Sequence, residues 1–98
     1  MTLDLTKAAV EDLRSIRNYT FETWGEHQEA AYLKAMWARF REIQGNPARF
    51  RRRDDLFPGC RIAAEGRHVI LFRENGEVLE IVRILHSAMD FKRHLPPS

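Results

Sequence analysis

Apolar residues recur at helical spacing in the first half of the chain and at strand spacing in the second, with an arginine-rich stretch between. Leu3 and Leu5 alternate with polar residues and predict a short opening strand. Thr6 has the chemistry of an N-cap. Behind it Ala9, Leu13, Ile16, Thr20 and Trp24, widened by Val10 and Phe21, form the apolar stripe of a helix running to about Trp24. Gly25 supplies its stop. A second helix, from about His27 to Gln44, sets Leu33, Met36, Trp37, Phe40 and Ile43 on a common face before Gly45-Asn46-Pro47 ends it. Helices joined by a connection of about two or three residues pack antiparallel, as a helical hairpin.

Three extended runs follow the arginine-rich stretch: Cys60 to Ala64, His68 to Arg73 and Val78 to His86. Glu65-Gly66 and Asn75-Gly76 separate them, and Asn-Gly between strand-like runs is a strong hairpin signal. The expected fold is therefore α+β: a helical hairpin on an antiparallel meander, with the opening strand adding at an edge. In the last strand, alternation sets Val82 and Ile84 on one face and Leu79, Ile81 and Leu85 on the other. Both faces are apolar, and a helical hairpin covers only one. The second needs the tail, with Met89, Phe91 and Leu95, or a separate chain. Ser87 and Asp90 have the spacing of a capping box and predict a short amphipathic helix there. About two turns is little cover for a sheet of this size, which favours a partner segment.

Composition narrows the class. At 98 residues, 44% hydrophobic and 31% charged, residues 1–98 read as one globular domain that folds without staples. The single cysteine, Cys60, excludes an intrachain disulfide and reads as a small buried residue. Met1-Thr2-Leu3-Asp4 lacks the features of a secretory signal, so a cytoplasmic location is expected. No apolar run approaches the roughly 20 residues needed to span a bilayer. Net charge is only +2, yet Arg39, Arg41, Arg49, Arg51, Arg52, Arg53 and Arg61 lie close together in sequence. They suit nucleic acid or an acidic partner, or else form a solvated loop neutralised by Glu42, Asp54 and Asp55.

Candidate chemistry concentrates late in the chain. Arg61, Arg73 and Arg83 could share one sheet face and surround a phosphate, and His86 has an imidazole, a side chain suited to proton transfer. Strict alternation, however, puts His86 on the face opposite Arg83. The competing reading makes His86 a strand-end residue bonded to the following turn, and the arginines partners of carboxylates. His27, His68 and His94 show no metal-ligand spacing with one another or with Cys60, and nothing calls for a cofactor. Trp37, at the edge of its stripe, is a candidate for partner contact.

Several ordered segments form a series: Ala9, Asp12-Leu13, Ile16 and Trp24-Gly25, then Tyr32, Phe40 and Asn46-Pro47. Pro58-Gly59-Cys60-Arg61, Arg67-His68-Val69-Ile70, Ile81-Val82-Arg83-Ile84-Leu85-His86 and Asp90 continue it. The set spans nearly the whole chain and resembles the ParE branch of the RelE/ParE toxin superfamily. One departure is Phe50 among Arg49, Arg51, Arg52 and Arg53, where such toxins often carry a glycine. The resemblance implies the toxin half of a type II toxin–antitoxin pair: a binding inhibitor of DNA gyrase, without bond chemistry of its own, neutralised by a ParD-like antitoxin. On that reading antitoxin contacts are expected at Trp37, Arg61, Arg73, Leu79, Ile81, Arg83 and Leu85, and target contacts at His86, Met89, Phe91 and Lys92, the last three being able to touch the antitoxin instead. Two other readings stay open. A RelE-like ribosome-dependent mRNA endonuclease would use Arg61, Arg83 and His86, and an interaction module of the same fold would lack toxicity.

Overall fold

The computed structural model describes residues 1–95. Strand β1 (Thr2–Leu5) leads into helices α1 (Lys7–Trp24) and α2 (Glu26–Gly45). A 3-10 turn (Pro47–Arg49) and the two-residue strand β2 (Arg51–Arg52) follow, then β3 (Arg61–Glu65), β4 (His68–Asn75) and β5 (Val78–His86). A second 3-10 turn (Phe91–His94) closes the described chain. The sheet has the order β1-β5-β4-β3-β2, with β1 parallel to β5 and the other pairs antiparallel. The expected α+β architecture is thus observed, with β2 as an additional edge strand.

Local chemistry sets the helix ends. The Thr6 hydroxyl accepts the Ala9 amide at 3.1 Å and satisfies one of the free donors of the first turn. Gly25 alone joins the two helices, a tighter link than the sequence suggested, and its φ of +90° is a region that side chains with a Cβ rarely adopt. Its amide bonds the Phe21 carbonyl while its own carbonyl accepts the Glu29 amide, so one residue ends α1 and starts α2.

The helical hairpin covers one face of the sheet. Ile16, Met36, Phe40 and Ile43 from the helices bury against Ile70, Phe72, Leu79, Ile81 and Ile84 from the strands. Each such side chain contributes on the order of 1.5–3 kcal/mol by leaving water. The predicted α1 stripe is narrower than expected: Ala9, Ile16 and Thr20 are buried, but Val10, Phe21 and Trp24 are exposed. The α2 stripe keeps Met36, Phe40 and Ile43 inside and leaves Trp37 at the rim, its ring edge-on to Phe40 at 5.1 Å.

The simple alternation expected for β5 fails at Val82. Leu71 pairs with Arg83 and Phe72 with Ile81, so Val82 is an extra residue, a β-bulge. The bulge inverts the parity of everything after it. Leu79, Ile81 and Ile84 consequently share the helix-covered face, while Leu85 lies on the other.

That second face is covered by the chain itself. Leu71 and Leu85 pack with Leu56 and Cys60, and Phe57, Phe91 and Leu95 close over them. The loop carrying Leu56 and Phe57 folds back on itself through Arg53 N–H to Cys60 O at 2.8 Å and Cys60 N–H to Phe57 O at 3.1 Å. Burial pushes the Cys60 thiol up to about 12. The tail contributes less helix than predicted, because Ser87 does not cap it. Asp90 is the N-cap, accepting the Lys92 amide, and one 3-10 turn follows. The uncovered sheet face that the alternation implied does not exist.

Candidate functional site

Strand β1 ends opposite Ile81, so among the described residues that edge of β5 has no strand beside it from Val82 onward. Helix α1 serves that edge instead. The Thr6 amide donates to the Ile81 carbonyl at 3.0 Å, the Thr6 hydroxyl to the bulge carbonyl of Val82 at 2.7 Å, and the Ile84 amide to Asp12 Oδ2 at 2.9 Å. Asp12 also takes both nitrogens of the Arg83 fork, Nε and Nη2, each at 2.8 Å. The third nitrogen of Arg83, Nη1, bonds the His94 carbonyl, so one guanidinium ties α1 to the tail. The hydrogen bonds that Arg83 donates to the Asp12 carboxylate hold its guanidinium above the ordinary pKa.

Beside this pair lies a chain of aromatic groups. His68 and His86 face each other across β4 and β5 with ring centroids 5.5 Å apart. Nδ1 of His68 is 2.6 Å from the Tyr32 hydroxyl, which accepts the Arg67 amide at 2.9 Å and lies 3.2 Å from the Glu65 carbonyl. Gly66, at φ +57°, makes the approach possible, since a Cβ there would come within 2.6 Å of that hydroxyl. Burial raises the Tyr32 pKa, so the phenol keeps its proton at neutral pH. Burial, and then the neighbouring His86, lower that of His68, against a weaker pull from Asp12. Nδ1 of His86 accepts the Ala88 amide at 3.1 Å and fixes the turn after the strand.

These groups line a groove of about 500 Å³. Asp12, Ser15, Ile16 and Tyr19 form the α1 wall, His68 and the stretch from Arg83 to His86 form the floor, and Met89 closes one end. Tyr19 and Met89 are 60% and 44% exposed, an apolar rim around a polar floor.

The three arginines expected to gather do not. Arg61 pairs opposite Phe72 on the helix side and donates to the carbonyls of Ala48 at 3.2 Å and Phe50 at 2.7 Å. Arg73 bonds Glu80 at 2.9 Å and lies over the Phe57 ring on the other side. Arg83 is held by Asp12. Leu79 and Ile81, expected at a partner surface, have no exposure, and Leu85 has 2%, so none of the three is available for contact. Phe91 packs into the second core, while Trp37, Met89 and Lys92 remain accessible. The arginine-rich loop is largely neutralised: Arg52 and Arg53 form two-pronged pairs with Asp54 and Asp55, and Arg39 and Arg49 share Glu42. Among the described residues, no group of three His, Cys, Asp or Glu side chains gathers to hold a metal ion, and no helix is long and apolar enough to cross a membrane.

Sequence reasoning assigned no role to Asp12, Tyr19, Tyr32 or His68. One signal was present. Asp12, Ser15, Ile16 and Tyr19 recur at helical spacing along a flank of the buried stripe.

Comparison with known proteins shows the family and the fold. The chain is 34% identical over 92 residues to Toxin ParE1 of Mycobacterium tuberculosis, a match covering 93% of this chain and 94% of the relative. It is 34% identical over 91 residues to Toxin ParE1 of Caulobacter vibrioides, with the same coverage, and 33% identical to Toxin ParE of Escherichia coli, covering 93% and 89%. The fold is similar to a structure described as the chromosomal ParDE TA system from P. aeruginosa, with TM-score 0.76, 22% identity, and coverage of 88% of this chain and 95% of that one. Residues 3–91 match the family described as ParE toxin of type II toxin-antitoxin system, parDE, and the chain belongs to that family.

Proposed function

We propose that this protein is a toxin that inhibits DNA gyrase by binding it, acts in the cytoplasm, and is neutralised by a ParD-like antitoxin. Family membership supports the toxin role. The observation that carries the choice of binding over RNA cleavage is the dispersal of the arginines. A ribonuclease site needs cations gathered around the scissile phosphate and a base or acid beside them. Here Arg61 is spent on backbone carbonyls, Arg73 on Glu80 and Arg83 on Asp12, on different sides of the sheet. His86 has its Nδ1 engaged by the Ala88 amide.

On this reading the accessible residues at the end of β5 and in the tail, His86, Met89 and Lys92, contact the target. Trp37 and the half-buried Arg73 supply positions for the antitoxin. The tie from Arg83 to Asp12 and His94 holds the tail in place and so presents Met89 and Lys92. The test is expression in a bacterial host with and without a co-expressed ParD-family protein. Growth arrest relieved by the partner, with the two chains co-purifying, is the expected result. Absence of arrest from a folded, soluble product would sink the toxin assignment. Arrest accompanied by rapid cleavage of ribosome-bound messenger RNA would sink the gyrase assignment.

A further inference from the structure

The floor of the groove carries two imidazole Nε2 atoms, of His68 and His86, without a partner among the described residues. Asp12 is saturated by Arg83 and the Ile84 amide, and Arg83 by Asp12 and the His94 carbonyl, so the charged pair offers little to a ligand. The imidazoles differ. His86 accepts the Ala88 amide through Nδ1, so its neutral ring carries the proton on Nε2. Tyr32 stands 2.6 Å from Nδ1 of His68 and directs its own proton to the Glu65 carbonyl at 3.2 Å, so Nδ1 donates to the phenol and Nε2 becomes an N–H donor when the ring takes up a second proton. Among the described residues, neither Nε2 has a protein partner, and neither is a buried atom left unsatisfied, so both open to the groove side. Ser15 and Tyr19 add hydroxyls on the α1 wall.

We propose that His68 and His86 together receive one carboxylate of a partner polypeptide, an Asp or Glu side chain set among apolar residues that rest on Ile16, Tyr19 and Met89. This rests on the antitoxin reading and deepens it: a segment anchored there would cover His86 and Met89 and so mask the residues that meet the target. Two N–H donors on neighbouring strands suit an anionic oxygen pair, and the mixed rim suits a peptide over a bare phosphate chain.

The same geometry says where a proton goes. The bond that His86 Nδ1 accepts needs a lone pair there. His68 is under no such constraint, because Tyr32 accepts from its Nδ1 and from the Arg67 amide and donates to the Glu65 carbonyl at 3.2 Å, which leaves Nε2 to take the second proton without rearrangement. Proton uptake on binding therefore falls on His68. The groups around that ring are Tyr32 of α2, Asp12 and Tyr19 of α1, Glu65 and Arg67 of the β3–β4 turn, and Arg83 and His86 of β5. Of the charged ones, Asp12 and Arg83 neutralise each other and Glu65 is paired with Arg39 at 3.3 Å.

The experiment is a titration of the isotope-labelled full chain with sodium acetate and with inorganic phosphate, each against sodium chloride at equal ionic strength, following the ring resonances of all four histidines by NMR. Acetate is expected to shift both His68 and His86 and, near saturation, to raise the His68 midpoint by on the order of 1 unit, while His27 and His94 follow the chloride control. His86→Asn retains an acceptor for the Ala88 amide but its shorter amide no longer presents an N–H where Nε2 stood, so the acetate needed for half the His68 shift should rise several-fold. No response beyond chloride, or a larger response to phosphate, would overturn the proposal. The titration uses the free protein, so it can fail while the co-expression test succeeds, and the reverse.

Discussion

Arg83 and Asp12, 71 positions apart in sequence, meet through two parallel hydrogen bonds of 2.8 Å at the edge of β5. The pair closes a sheet edge that β1 is too short to reach, and the same carboxylate takes the Ile84 amide. Both side chains are largely withdrawn from water, at 21% and 14% exposure, so screening is weaker than for an ordinary surface pair.

Removing one partner is expected to cost more than removing the interaction. Asp12→Ala leaves both the guanidinium and the Ile84 amide without their acceptor and should destabilise by about 2–3 kcal/mol. Arg83→Met leaves Asp12 with the amide and should cost less. Urea unfolding of the single and double variants measures the coupling. Strict additivity, or equal losses from the two single changes, would show that the pair does not act as described.

The two hairpin glycines make a matched comparison. Gly66 and Gly76 both have positive φ, at 57° and 63°, so alanine at either costs about 1–2 kcal/mol in backbone conformation. Only Gly66 faces a side chain: its added Cβ would meet Tyr32 at 2.6 Å, whereas nothing lies within 4 Å at Gly76. Gly66→Ala should therefore be the more destabilising and should also move the His68 ring resonances. Equal losses at the two positions would remove the close Tyr32 contact from the account.

Stability should also fall with acidification through His68. Its folded pKa lies below the ordinary value of about 6.5, so the unfolded chain binds the proton more readily. The stabilisation is complete above pH about 6.5 and is lost as pH drops from there through the lower folded value. Comparing the urea midpoint at pH 8 and pH 5.5 for the native protein and for His68→Gln isolates this contribution. A pH dependence unchanged by the substitution would contradict it.

Much of this fold was legible because local signals and global packing agree. Thr6, Gly25 and the glycines of the two hairpins marked the element ends, and the helical spacing of Ile16, Met36, Phe40 and Ile43 found the core. The site was less legible for one physical reason. Val82 is an ordinary strand residue by composition, and its bulge carbonyl is met by the Thr6 hydroxyl, a contact 76 positions away in sequence. Without the bulge, alternation misplaces Leu79 and Ile81 relative to Ile84 and leaves an apolar face that the folded chain in fact fills with Leu56, Phe57, Phe91 and Leu95. Tyr32, His68 and His86 were likewise invisible as a set, because strand register and a glycine turn bring them together.

The central claim is that the chain acts by binding gyrase. The measurement that tests it most directly is a plasmid supercoiling and cleavage assay with purified bacterial gyrase, adding this protein alone and then with a ParD-family antitoxin that binds it. The account predicts loss of supercoiling with accumulation of cleaved DNA, reversed by the antitoxin and weakened in a graded way by His86→Asn and Met89→Ala. Uninhibited gyrase in the presence of folded protein that still arrests growth would contradict it.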